Sequence, residues 1–592
     1  MIKVLYVISV LALFVLATMV KKKEDKIDFL TTFFVEIVVF TCYNIISCLV
    51  LKAINLNTTL VRLTIINVIV IIPIVYKIIK DKQLQKYYVK TKDVFAIIII
   101  AVVGLTIAYI NFGLPINVSF LCTDASNHYT MTTNFYTSGN INTGSMCGAY
   151  INYGIFFKVF FDSAEMVNGI YLFVMLEVFK FICSGILFYL AVKQFAKGKV
   201  SYIVGIVLSL IYMIAYPLNG MLCGFVYLEL AVDTIATMLI VMANYEKIGN
   251  KLKNLLLFML TFGLMFNYYL LVPPVYVAVF LFELKNWKNN KKETMLNILE
   301  IFLLPCIIGF LYFLVWPRIG TGTPGPSFSP ASVMTLEGYI YVSYFSVFLF
   351  FIPFNIYHLV ENIRKKKIDF LDVILIINTL YIIFALVLKE NGILSRYYAM
   401  KPYFTQWLIM AAITAISFFD ILDRKIEKTY KVSIIIVLIV YVLLVLCALF
   451  ITPPCSIKVF EDSKEGINTM FDIYLINKSA ITHRTFEIIY TNEELQLLRN
   501  VIGNLPQDTK VLYLGDDINR MWAIAMFLQK DTHSPQEQYK KIKEGLNSQE
   551  EMYVVCLRNV FIKRIFKEFA DRIDLELNKV AEKGRLVIYS NK

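Results

Sequence analysis

Residues Leu121-Cys122-Thr123-Asp124-Ala125-Ser126-Asn127-His128-Tyr129-Thr130, running on to Phe135-Tyr136-Thr137-Ser138-Gly139, form a polar connection between two strongly apolar runs, Val94–Phe112 and Val167–Val192. So polar a segment beside such runs belongs at a membrane surface, and its side of the membrane fixes the topology of everything else. Asp124 and His128 are four apart, so on a helix they share a face with about 5–6 Å between Cβ atoms. A carboxylate next to an imidazole can serve as general base, as metal ligand, or as a plain helix cap beside a surface histidine; spacing leaves all three open.

The composition supports the membrane setting. The chain has 592 residues, 58% of them hydrophobic and 15% aromatic, with a mean hydropathy of +0.66. A soluble domain is nearer 45–50% apolar, so this is a polytopic membrane protein. The net charge of +13 does not point to nucleic acid, because the lysines sit in short clusters between apolar runs, as positive-inside topology requires. Four histidines and scattered cysteines offer no zinc-finger spacing.

Val4–Val20 is followed, not preceded, by Lys21-Lys22-Lys23, which predicts an uncleaved span with its N-terminus outside. Phe29–Leu51, Val61–Ile79 and Val94–Phe112 then place the Asp124 loop on the extracytoplasmic face. Ala149–Phe161 is too short to span and suits a helix lying in the interface. Spans follow at Val167–Val192, Ser201–Ala215 and Phe225–Ala243, with Pro217-Leu218-Asn219-Gly220 as an external loop. Leu255–Leu284 has lysines at both ends and so reads as two short crossings broken near Asn267 or Pro273-Pro274. Leu296–Trp316 leads to the Gly/Pro-rich external loop Pro317–Pro330. Gly338–Leu359, Phe370–Leu388, Phe404–Phe419 and Ile434–Ile451 complete about 13–14 crossings. After Pro453-Pro454 the composition turns polar. A helix at Asn492–Ile502, strands at Lys510–Leu514, Met552–Leu557 and Arg585–Tyr589, and a helix at Lys563–Ile573 predict an extracytoplasmic α/β domain over 453–592, behind a membrane domain over 1–452. The Gly515-Asp516-Asp517 turn suits a ligand loop or a plain strand-to-helix link, with no Gly-rich phosphate fingerprint behind it.

Several other residues suggest chemistry. Arg396 and Lys401 lie in the external segment Lys389–Lys401 with Tyr397, Tyr398 and Tyr403 around them. Arginine can grip a phosphate bidentately and lysine acts as a point charge, although headgroup anchoring uses the same residues. Glu229 and Asp233 share a helical face inside a span, where an acid is costly unless it faces a cavity or is protonated. Glu177 and Lys180, three apart in another span, read as a mutual pair holding helices together. Cys122 with Cys147, and Cys455 with Cys556, are spaced so that either pair could bond; sequence leaves both open.

The pattern Asp124, His128, Tyr129, Phe135, Gly139 resembles the first large external loop of GT-C glycosyltransferases, as does the short helix after it with its long run of spans and an external C-terminal domain. The resemblance implies transfer of a sugar from a polyprenyl-phosphate carrier to a cell-envelope acceptor outside the cytoplasm, inverting if displacement is direct. It implies Asp124 as base or metal ligand; beside it His128 would orient Asp124 or hydrogen-bond the sugar, Asn127 and Tyr129 are candidate substrate contacts, and Glu229 and Asp233, from their depth in a span, are candidates to line an outward-facing donor cavity. Ser395–Lys401 is similar to the carrier-phosphate segment of some bacterial members, which implies Arg396, Tyr397, Tyr398 and Lys401 at the phosphate. Many members carry two adjacent acids where this chain has Asp124-Ala125, so a divalent cation is left open and no other cofactor is expected. A polysaccharide polymerase or ligase would use the same carrier. A non-enzymatic lipid-linked sugar flippase or transporter would favour internal repeats, and none is evident.

Overall fold

Apolar runs with polar ends become membrane-length helices wherever a side chain satisfies the first free N–H groups. In the computed structural model Asp28 accepts from Leu30 N and the Thr31 hydroxyl to start α2 (Phe29–Ala53), and Thr59 accepts from Arg62 N to start α3 (Leu60–Asp81). The structure describes all residues except 25, 122, 142–145, 162–165, 197–201, 286, 288–289, 316–346, 424–427, 451–480, 482–487, 507–508, 515–516, 528–550 and 559–576. The Pro317–Pro330 loop, the first part of Gly338–Leu359, the helix expected at Lys563–Ile573, Cys122, Cys455, Gly515 and Asp516, and the domain boundary near 452 therefore lie outside the described residues.

The membrane part continues from α1 (Ile2–Met19), α2 and α3 through α4 (Thr91–Phe112), α5 (Asp124–Ser138), α6 (Gly148–Phe160), α7 (Met166–Phe195), α8 (Tyr202–Met213), α9 (Tyr216–Cys223) and α10 (Val226–Ala243). It goes on with α11 (Tyr245–Ile248), α12 (Asn250–Asn267) and α13 (Val272–Leu284), then α14 (Lys291–Phe313). After the gap come α15 (Ile352–Arg364), α16 (Phe370–Glu390), α17 (Arg396–Met400), α18 (Tyr403–Asp423) and α19 (Lys428–Phe450). Ten helices among the described residues are long and apolar enough to cross a membrane, and Tyr269–Leu284 and Val432–Cys447 are shorter apolar helices. The chain is a multi-pass, mostly helical membrane protein.

Among the described residues, the difference from 13–14 crossings has local causes in part. Leu255–Leu284 does break at Asn267, but its second half is short. Pro217–Gly220 is not an external loop. Pro217 sits at the start of α9, where its missing N–H costs nothing, and α9 is buried throughout as the second half of the Tyr202–Cys223 span. α6 is packed inside the protein. Most of its residues are buried, with the Cys147 N–H bonded to the Phe266 carbonyl at the α12 break. A three-residue strand β1 (Lys26–Asp28) pairs in parallel with β2 (Lys86–Tyr88) inside segments read only as charged.

The C-terminal domain has α20 (Asn492–Val501), β3 (Lys510–Leu514), α21 (Asp517–Phe527), β4 (Met552–Leu557), β5 (Asn578–Lys583) and β6 (Leu586–Ser590). The sheet order is β3-β4-β6-β5, with β3 and β4 parallel and β6 antiparallel to both neighbours. This domain docks on the segment just before α5. Val118 exchanges backbone hydrogen bonds with Ile489 and Tyr490 at 2.9 and 3.0 Å, Asn492 N donates to Asn117 Oδ1 at 2.9 Å, and Asn492 Nδ2 donates to the Tyr171 hydroxyl at 2.7 Å. The indole of Trp522 on α21 is fully buried against Phe120, Tyr129 and Phe173. The α5 segment and the C-terminal domain therefore share one face of the molecule.

Candidate functional site

Asp124 is the first residue of α5 rather than its N-cap; Thr123 holds that position and makes no side-chain cap bond. The carboxylate is half-buried at the positive end of the helix dipole. Its neighbour Ala125 is fully buried, because α5 rests on the turn between α9 and α10. Gly224 has φ +67° there, and a Cβ on it would come within 2.4 Å of the Ala125 Cβ. A second acid at 125 has no room, which gives a physical reason for the departure from the two-acid pattern.

One turn on, the His128 ring meets Tyr227 edge to face, with centroids 4.6 Å apart. Its Nδ1 is buried without a hydrogen-bond partner. Burial, with the charges of Lys180 and Lys401 added, pushes the imidazole down to about 3. His128 is thus held as a neutral ring. Lys401, at the corner between α17 and α18, is buried with its ammonium 3.1 Å from the centre of the Phe225 ring, a cation–π contact. Tyr398 of α17 and Tyr268, at the α12 break, both stand close enough to Asp124 for its charge to act on their phenols. The structure therefore brings Asp124, His128, Tyr398 and Lys401 together from two distant segments.

The remaining candidates separate. Asn127 is half-buried on α5. Tyr129 is fully buried in the aromatic packing against Phe157, Phe173 and Trp522, so its ring serves the docking of the C-terminal domain. Arg396 and Tyr397 form the start of α17, and their side chains lie outside the described residues. Glu229 and Asp233 are buried in the contact between α10 and α7. Glu229 is ion-paired to Lys180, which also bonds Glu177 at 3.0 and 3.1 Å. The Tyr153 hydroxyl donates to Glu177 at 2.5 Å, and Ser184 Oγ donates to Asp233 at 2.5 Å. The expected Glu177–Lys180 pair is present and extends across the helices. Of the two cysteine pairs, Cys147 and Cys556 carry free thiols.

Lys180, Phe225, Tyr227 and Tyr268 were missed as neighbours of the Asp124 site. Only Lys180 carried a signal, as a charge inside a span. Among the described residues, Asp124 is not part of a three-ligand metal cluster; the one such group is His358, Asp369 and Asp372.

No family model matches the sequence, and no curated protein matches it either. Solved structures do. ArnT from Cupriavidus metallidurans in the apo state has a TM-score of 0.46 at 10% identity, over 84% of this chain and 98% of that one. The Archaeoglobus fulgidus oligosaccharyltransferase in its apo form gives 0.46 at 11%, over 81% and 71%. The same enzyme tethered through a disulfide bond to an acceptor peptide with the NVT sequon gives 0.45 at 11%, over 84% and 74%. The functional reading rests on the site's own residues.

Proposed function

We propose that the protein transfers a sugar from a polyprenyl-phosphate-linked donor to a cell-envelope acceptor on the extracytoplasmic face. The observation that supports this reading is the convergence of α5 with the Tyr398–Lys401 corner, where the charge of Asp124 reaches the Tyr398 phenol and the charge of the buried Lys401 reaches His128. A base next to a fixed positive charge is what displacement of a phosphate leaving group requires.

The acceptor hydroxyl gives its proton to the Asp124 carboxylate as its oxygen attacks the anomeric carbon. The bond from that carbon to the phosphate oxygen breaks, and the polyprenyl phosphate leaves with the extra negative charge. Lys401 offsets that charge, and Arg396 of the same segment is the second cation proposed for it. Direct displacement inverts the anomeric centre. Neutral His128 hydrogen-bonds the sugar or the Asp124 carboxylate through its free Nδ1 edge. If a divalent cation takes part, Asp124 and this orphaned nitrogen are the ligating atoms at hand, and it would add positive charge at the leaving phosphate.

The test is an in vitro assay on purified full-length protein with defined polyprenyl-phosphate sugars, offering either a single-sugar or lipid acceptor or a preformed glycan. The glycan arm separates a transferase from a polymerase or ligase. Asp124→Asn should fold as the parent and lose about 100-fold or more in rate. A rate within about threefold of the parent removes Asp124 as base. Sidedness is tested by labelling a cysteine at position 127 in a Cys-free background, which should succeed without permeabilisation.

A further inference from the structure

The hairpin that joins α15 to α16 lies at the opposite end of α16 from the Asp124 site, about 30 Å away along 21 residues of helix. Asp369 caps α16, and its Oδ1 accepts from Asp372 N at 3.1 Å. Asp372 Oδ2 accepts in return from Asp369 N at 3.0 Å and from Asn362 Nδ2 at 2.8 Å. This capping box uses one oxygen of each carboxylate. The other two oxygens turn toward one point, which they share with the His358 ring. Asp372 Oδ1 is 3.6 Å from His358 Nε2, and Asp369 Oδ2 is 3.9 Å from it. These separations are too long for hydrogen bonds. Asp372 has a side chain 0% exposed, and its Oδ1 has no hydrogen-bond partner. A buried carboxylate oxygen left unbonded, facing a second carboxylate oxygen, is costly unless positive charge stands between them.

We propose that His358, Asp369 and Asp372 hold a divalent cation. The three ligand atoms all lie within 4.8 Å of one another, so an ion at their centre sits about 2.0–2.5 Å from each. One imidazole nitrogen with two carboxylate oxygens favours Zn²⁺ or Mn²⁺ over the all-oxygen preference of Ca²⁺ and Mg²⁺. Asn362 Nδ2 stands 3.0 Å from His358 Nε2, and a bound ion takes the place of its hydrogen at that nitrogen's lone pair. Asp369, with a side chain 37% exposed, gives the ion a path from solvent and room for water ligands. Bound there, the ion clamps the end of α15 to the start of α16. The site is separate from the Asp124 chemistry and stands or falls without it.

The experiment titrates Zn²⁺, and separately Mn²⁺, into chelator-treated full-length protein in detergent, following binding and melting temperature together. The parent should bind one ion with a rise in melting temperature. His358→Ala leaves both capping residues in place and should weaken binding at least tenfold and abolish the rise. Asp369→Ser keeps a capping hydroxyl but removes a ligand, and should do the same if the first variant folds poorly. A parent that binds neither ion below millimolar concentration overturns the proposal. So does binding that both variants retain, which would place the metal on the chain's free thiols.

Discussion

Glu229 on α10 is ion-paired to Lys180 on α7, which is at the same time bonded to Glu177 on its own helix. Gly220 of α9 lies so close that a Cβ there would come within 2.8 Å of the Glu229 carboxyl. Three helices therefore converge on one carboxylate. Breaking a buried pair from one side costs about 3–5 kcal/mol. Glu229→Gln should lower the melting temperature in detergent, and Asp233→Asn, which keeps an acceptor for Ser184, should lower it less. Transfer per folded molecule should stay within about threefold for both. A large loss of rate at unchanged melting temperature would return the two acids to the donor cavity.

Lys401→Met keeps the bulk of the stem over Phe225 and removes the charge. The expected result is donor binding weaker by about tenfold or more, with acceptor KM little changed. Steady-state kinetics with donor and acceptor varied in turn check it.

His128 supplies the pH dependence. Its folded value of about 3 lies below the ordinary 6.5, so between these values the unfolded chain holds a proton that the folded chain does not. Stability is then full above about pH 6.5 and falls as the pH drops below it, by up to about 1.4 kcal/mol per unit. His128→Gln should flatten that part of the profile of melting temperature against pH, measured between pH 7.5 and 5.

Gly224→Ala adds a Cβ at positive φ and drives it into Ala125. Displacing the start of α5 should lower both the melting temperature and kcat. Ala125→Asp, which buries a charge in the same contact, should fail more severely, read as loss of monodisperse protein on size-exclusion chromatography.

The apolar runs were legible because lipid demands about 20 apolar residues, and α1 to α4, α7 and α10 fall within a few residues of their expected ends. The break at Asn267 was legible from lysines at both ends of one long run. α9 was not, because Pro-Leu-Asn-Gly carries the same signals in a loop as in a buried helix that begins on proline. β1 and β2 are too short and too charged to show alternation, and β5 is exposed along almost its whole length. At the site, Asp124 and Lys401 stood out as charges beside spans. The Phe225 and Tyr268 contacts are made by packing between distant segments, and no local pattern encodes them.

Trp522 fills the space between Phe120, Tyr129 and Phe173, and Trp522→Ala should cost about 3–5 kcal/mol and depress kcat more than donor KM, checked by melting and kinetics on the same sample. The same contact sets an order of assembly. Tyr129 leaves the ribosome roughly 360 residues ahead of Tyr490 and Trp522, a wait of roughly 20–70 s at ~5–20 residues per second. Throughout that interval α5 stands at the membrane surface with its aromatic side uncovered. A nascent chain stalled in the later spans would therefore present an apolar patch in place of a site, and chaperones and proteases would meet it before any substrate could.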